Sequence, residues 1–350
     1  MTDYKASKRI VGTASEIPSI YSGKSWVELG RKSVPSTTKT WNTDDFTSAG
    51  YDNLMILFEW KTNQTNADSA IRFNSNSGTH YAYRNTYDGS GSNSNTSKDE
   101  VMLDGTISGM QNFTVLHVTN IADKEKMGHY RVVHEKASGS GSGEVPRRAE
   151  GSLKWSNTSD NITSLYFDNV QSSGTRQYTE GEVVILGQKS TGVDASGKWQ
   201  ELGDVSGNGS STSLDVSFTA KKYLWVQIHT TSASGHGGSL TFNDTGNDEY
   251  AMRRNEENTE YDNKYDMDYL RLNNSGSAKE RWVNMFIINK SNEPKLATYE
   301  VCESITDGEG TAPTRMEAVG KWNNNAQITK ITLGTATFDS TTTMKVWGFD

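Results

Sequence analysis

Short apolar runs of strand length recur along the chain: LMILF (54–58), FTVLHV (113–118), YRVVH (130–134), VVIL (183–186), YLWVQI (223–228), NMFII (284–288) and ITKITL (328–333). They alternate or are rich in β-branched residues, and Gly/Ser/Asn segments separate them. No stretch of helical length carries a clean 3.6-residue period. The pattern predicts an all-β chain. About seven to nine strands in a unit of about 155 residues make a β-sandwich, jelly-roll-like in kind.

The chain also aligns with itself. PRRAEGSLKW (146–155) returns as PTRMEAVGKW (313–322), with five of ten positions identical; ordinary usage gives on the order of one. WVELG (26–30) matches WQELG (199–203). RFNSNSGTHYAYR (72–84) matches TFNDTGNDEYAMR (241–253), sharing F-N, six residues, then Y-A-x-R. The same offset carries YRVVHE (130–135) onto YEVCES (299–304) and Asn120 onto Asn289. ITSL (162–165) meets ITKI (328–331), and VILG (184–187) meets KVWG (345–348). A period this long is a whole domain written twice, not a solenoid. The expected organisation is an N-terminal arm (1–24), a first sandwich (25–188), a connector KSTGVDASG (189–197) and a second sandwich (198–350). SGSGSG (138–143) falls inside the first unit and is a loop.

Positions that agree between the copies have something to hold. Residues two apart on a strand share a face, so Arg148 and Glu150 point one way, as do Arg315 and Glu317. Pro146 and Pro313 suit strand starts. The expectation is an internal polar cluster in each unit. Glu150 or Glu317 pairs Arg84 or Arg253 in bidentate fashion, Trp155 or Trp322 roofs the pair, and Asn74 or Asn243 binds a nearby loop backbone. Glu150→Gln and Glu317→Gln are then expected to lower thermal stability. Cys302 aligns with Val133 and is expected on a core face.

Composition narrows the function. Hydrophobic residues are 33%, but the chain carries 9 Trp, 15 Tyr and 10 Phe, and aromatics bury large areas. Net charge is -8 and pI about 5.4, which argues against nucleic-acid binding through bulk positive charge. A single cysteine allows no internal disulfide. MTDYKASKRIVG lacks the apolar core of a signal peptide, and no run reaches membrane-spanning length. The six histidines fall at different places in the two copies, so no shared metal site, and no cofactor, is expected. NDTGNDE (243–249) and DNKYDMD (262–268) lack the EF-hand spacing and are expected to be turns. No P-loop or GxSxG elbow is present, and no two carboxylates stand out as a glycosidase pair.

The copies differ most where NEENTEYDNKYDMDYL (255–270) replaces TYDGSGSNSNTSKDEV (86–101). Tyr261, Tyr265 and Tyr269 recur every four residues and would share a face of an extended segment. They are an aromatic platform for a glycan or protein partner, or a loop packed on its own sandwich. Trp60 and Trp225 are the stacking residues of a glycan-binding reading. The head, with Lys5, Lys8 and Arg9 before IVG, is expected to be an arm that orders on a neighbouring subunit, the alternative being a disordered tail.

The frame W-x-E-L-G, F-N-x6-Y-A-x-R, P-x-R-x-E, K-W and a last strand ending in Gly resembles a β-rich domain of structural proteins of tailed bacteriophages and related viruses. The resemblance spans about 25–350. It implies a jelly-roll-type virion component, capsid-decorating or tail-associated, assembled in the host cytoplasm without secretion, and it implies no catalytic residues. The expected function is therefore non-enzymatic, with a homo-oligomer (a trimer), other virion proteins and host surface glycans as partners, and with no membrane. Two alternatives are a double-jelly-roll major capsid protein, on architecture alone, and a glycan-binding receptor module.

Overall fold

The computed structural model describes residues 26–64, 67–106, 108–136, 144–170, 176–189, 197–234, 238–256, 260–272, 280–304 and 313–350. The arm, most of the connector and the SGSGSG string lie outside the described residues. The described elements are β-strands joined by turns and loops.

The first half contributes β1 (Trp26–Ser33), β2 (Thr40–Asn42), β3 (Asn53–Thr62), β4 (Ala67–Phe73), β5 (Tyr81–Tyr87), β6 (Ser90–Lys98), β7 (Val101–Thr106), β8 (Asn112–Thr119), β9 (Lys126–His134), β10 (Arg147–Trp155), β11 (Leu165–Asn169) and β12 (Tyr178–Gln188). The second contributes β13 (Gln200–Ser206), β14 (Ser211–Ser217), β15 (Tyr223–Ser234), β16 (Ser239–Phe242), β17 (Tyr250–Glu256), β18 (Glu260–Met267), β19 (Leu270–Arg271), β20 (Glu280–Ile288), β21 (Lys295–Ser304), β22 (Thr314–Trp322), β23 (Lys330–Phe338) and β24 (Thr343–Phe349). Each half thus holds more strands than its apolar runs predict. The extra ones, such as β6 (SGSNSNTSK) and β18 (EYDNKYDM), lie at sheet edges and are too polar to carry a hydrophobic signal.

In the first half an eight-stranded sheet, ordered β1-β12-β3-β8-β9-β10-β5-β6, packs on a four-stranded one ordered β2-β11-β4-β7. In the second half the order β13-β24-β15-β20-β21-β22-β17-β18 faces β14-β23-β16-β19, and the end of β15 also pairs β23. Strand for strand, the two orders match. The eight-against-four division also differs from the equal sheets of an eight-stranded jelly roll.

The repeated motifs make the same local structures. W-x-E-L-G places a β-bulge between Glu28 and Gly30 in β1, and between Glu201 and Gly203 in β13. The bulged leucines lie over the glycines near the chain ends of each copy. A Cβ on Gly187 would sit 2.6 Å from Leu29 Cδ1, and one on Gly348 would sit 2.8 Å from Leu202 Cδ1, so neither site has room for a side chain. In the F-N frame, Tyr81 Oη accepts from the Phe73 amide at 2.8 Å and Tyr250 Oη from the Phe242 amide at 2.7 Å. Asn74 and Asn243 stand at φ 53° and 51°, a region asparagine tolerates. Their Oδ1 atoms accept from the amides of Thr163 (2.7 Å) and Thr329 (2.9 Å). Pro146 and Pro313 directly precede β10 and β22. Trp155 stacks on Tyr81 at 6.2 Å, and Trp322 on Tyr250 at 6.4 Å.

Each sandwich has its own core, one built around Phe58, Trp155 and Ile185, the other around Tyr299, Trp322 and Val346. A third core lies between the halves. Eight residues of the first half, among them Trp26, Leu57, Phe113 and Val133, meet eight of the second, among them Trp199, Tyr223, Leu296 and Val319. This explains why LMILF does not alternate. Leu54, Ile56 and Phe58 face the sandwich core while Met55 and Leu57 face the other half, so both faces of β3 are buried. Cys302 departs from expectation: it is exposed. Its aligned partner Val133 is buried in the core between the halves, whereas Cys302 stays open to solvent.

Candidate functional site: a polar cleft where the halves meet

Both sandwiches present the outer face of their eight-stranded sheet to the junction, and matched residues touch there. Arg131 on β9 bonds Glu300 on β21, 169 positions later. His117 packs against Phe286, also 169 later, with ring centroids 5.9 Å apart. Glu150 on β10 lies within hydrogen-bonding reach of its counterpart Glu317 on β22. Contact between equivalent positions is what a two-fold relation makes on its axis; here the relation is local, since Phe113 and Val133 are buried at the junction while the aligned Trp282 and Cys302 are exposed.

One flank of the junction is closed by charge. Lys222 Nζ sits 3.0 Å from both Glu59 and Glu182, Lys290 reaches Glu59 at 3.2 Å, Lys61 bonds Glu293, and Arg31 donates to the Asp350 carbonyl at 2.7 Å.

Beside the matched pairs opens a cleft of ≈ 740 Å³, lined by Arg84, Thr86, His129, Arg131, Glu150, Ser152, Asn255, Glu300, Arg315 and Glu317, among others. Glu150 Oε1 accepts from Arg148 Nη2 (2.9 Å) and Thr86 Oγ1 (3.0 Å). Its Oε2 is buried without a hydrogen-bond donor. Burial raises the Glu150 carboxyl above its ordinary value. Arg148 opposes this, and the Glu317 charge adds to it. Glu300 is also penalised by burial, but its bond and charge contact with Arg131 outweigh that and hold it below its ordinary value. His117 is pushed down to about 3 by burial, with His129 and Arg131 adding, so it stays neutral. The cleft floor therefore sets a carboxyl raised by burial next to a fixed ion pair. Its lining of arginine, carboxylate, amide and hydroxyl groups suits a polar ligand.

Several expected site residues take other places. Glu150 pairs Arg148, its neighbour on the same strand face, and not Arg84, which is exposed on the cleft wall. Arg253 pairs Asp88 of the first half at 2.5 Å, while Arg315 approaches Glu317 at 3.7 Å. Arg148 also donates to the Glu317 carbonyl at 2.6 Å, so the arginines bridge halves where one closed cluster per half was expected. Trp155 and Trp322 do not roof them. They lie an odd number of residues from Glu150 and Glu317 along their strands, which puts them on the opposite, core face.

Trp60 is fully buried and stacked on Phe58 at 4.4 Å, so it offers no face to a sugar. Trp225 is half-buried at the junction, stacked on Phe286 and bonded through Nε1 to Asn284. Tyr265 is exposed and Tyr269 half-buried beyond a bend, with Asp266 at φ 50° between them, so the even spacing does not build one platform. The side chain of Tyr261 lies outside the described residues. Among the described residues no group of three or more His, Cys, Asp or Glu is placed to hold a metal, and no helix is long and apolar enough to cross a membrane.

The residues the sequence reading missed are Arg131 and Glu300. The signal was present: they align with opposite charges, the substitution a contact on a two-fold axis permits.

No protein-family model matches the chain, and no curated protein does. Solved structures resemble it only weakly. A human cytosolic phospholipase A2 (GIVD) shares 7% identity at TM-score 0.13 over 78% of this chain; the chain spans 33% of that enzyme's length. The turret protein A223 of Sulfolobus turreted icosahedral virus shares 11% at TM-score 0.14, over 92% of this chain and 97% of that one. The tesB protein of Mycobacterium avium subs paratuberculosis shares 6% at TM-score 0.15, over 79% and 80%. Likenesses at this level carry no argument about fold or function.

Proposed function

We propose that the chain is a non-enzymatic structural protein of a virion surface, built by duplicating and fusing one β-sandwich. The observation that carries this reading is the third core. Eight apolar residues from each half, flanked by the ion pairs of Glu59, Glu182 and Lys290, lock two sandwiches of the same strand order into one stiff body. Such a body suits load-bearing and display. The phage-type motif frame agrees with it, since its residues make bulges, tight packing and loop braces.

Mass spectrometry and antibody labelling of purified particles test the role. Stoichiometric presence at the particle surface is expected; absence from particles overturns it.

A second reading, glycan recognition, is favoured by the polar lining of the ≈ 740 Å³ cleft, although it loses Trp60. A glycan array separates the two. Binding that Arg84→Ala abolishes would support recognition, and signal at background would leave the structural role alone.

A further inference from the structure

The two halves present matched residues to the junction, but only one set is covered. Phe113 and Val133 of the first half are 1% and 0% exposed beneath the second half. Their counterparts in the second half are Trp282, which is 42% exposed, and Cys302, which is also exposed. Trp282 and Cys302 are register partners on β20 and β21. With Arg281 and Pro313 they border a cavity of ≈ 150 Å³. This apolar row continues the sheet face that forms the junction, at a place where Trp282 and Cys302 stay exposed.

Charges flank the row. On one side His229 Nε2 holds Glu280 at 2.7 Å, and Glu280 is 57% exposed; on the other stands Arg315, 58% exposed, paired in register with Cys302. A two-fold axis lying in the face, parallel to the strands and passing through Cys302, sets β20 of one molecule over β22 of another and brings Glu280 toward Arg315. The face is thus complementary to itself, as an isologous contact requires. Tryptophan and arginine are also the residues that carry most binding energy in such contacts.

We propose that a second copy of this chain docks on the Trp282–Cys302–Pro313 face, the two copies related by a two-fold axis through it. The contact repeats between chains what the junction does within one: the outer face of a large sheet meets its own kind. It makes the unit of self-association a pair, where sandwich architecture alone led to the expectation of a trimer. The proposal names a partner for the structural role but stands on the face itself. A dimer absent from particles removes the virion role and leaves the face. A monomeric virion protein does the reverse.

The test is sedimentation of the full chain across a wide concentration range, with the sole cysteine as reporter. Dimers are expected, and a short-spacer bismaleimide is expected to link them through Cys302 but to link no Cys302→Ser protein. Trp282→Glu is expected to weaken association at least about tenfold, equivalent to about 1.4 kcal/mol. Arg315→Glu is expected to weaken it too, and adding Glu280→Arg to restore it, a rescue that loss of folding would not show. A protein monomeric at every concentration overturns the proposal. So does an oligomer indifferent to Trp282→Glu, or a tryptophan that responds to glycans and not to protein concentration.

Discussion

Glu150 and Glu317 occupy the same place in the two halves and meet each other across the junction. Burial raises the Glu150 carboxyl above the ordinary carboxylate range, Arg148 opposes this, and the Glu317 charge adds to it. The sign of the linkage follows. A carboxyl raised on folding contributes stability that is full below its unfolded value and is lost as pH rises through its folded value. Glu150→Gln keeps the hydrogen-bonding shape without the charge. It is expected to stabilise the fold at neutral to alkaline pH, by on the order of 1 kcal/mol, raising the melting temperature there, and to flatten the slope of stability against pH. This reverses the loss expected from the sequence, where Glu150 was given an arginine of its own. Melts of both proteins from acid to alkaline pH check it; a lower melting temperature for the variant at every pH would sink the account of a raised Glu150 carboxyl.

Arg131 and Glu300 make the opposite case. The Glu300 carboxyl is held down by the guanidinium, against the cost of burial. Its contribution is present above the ordinary value and lost as pH falls through the lowered one. In a double-mutant cycle of Arg131→Ala and Glu300→Ala, each single change is expected to cost more than half of the double, with a coupling of about 1–3 kcal/mol. Additive costs would show that the pair does not hold the junction.

The bulge and glycine of each half give a prediction at two sites. Gly187→Ala and Gly348→Ala each drive a Cβ into a bulged leucine, at 2.6 Å and 2.8 Å. Each is expected to cost about 1–3 kcal/mol as overpacking. Trimming the leucine, as in Leu29→Ala with Gly187→Ala, is expected to recover part of that cost. Denaturant unfolding measures both, and a neutral Gly→Ala at either site contradicts the shared packing.

How much of this was readable from the chain depends on where each residue's partner lies. The all-β class was legible because runs such as ITKITL carry the strand period. The loop bonds of Asn74 and Asn243 were legible because their partners are close by in the same half. The pairing of Glu150 was not. Face alternation places Arg148 beside it, but only the meeting of the halves places Glu317 opposite it. Cys302 misled for the same reason, since alignment with Val133 predicts burial only if both halves are covered alike. Signs of the junction were runs such as LMILF in β3 and VVIL in β12, apolar on both faces, which an isolated sandwich with a solvated outer face would not need.

Calorimetric unfolding tests most directly whether the two sandwiches are one body. A single transition is predicted for the wild-type chain, with calorimetric and van't Hoff enthalpies equal. Phe113→Asp, which puts a charge into the core between the halves, is predicted to split it in two. Two independent transitions in the wild-type chain, or a Phe113→Asp protein that still melts as one unit, would contradict the fused body on which the structural role depends.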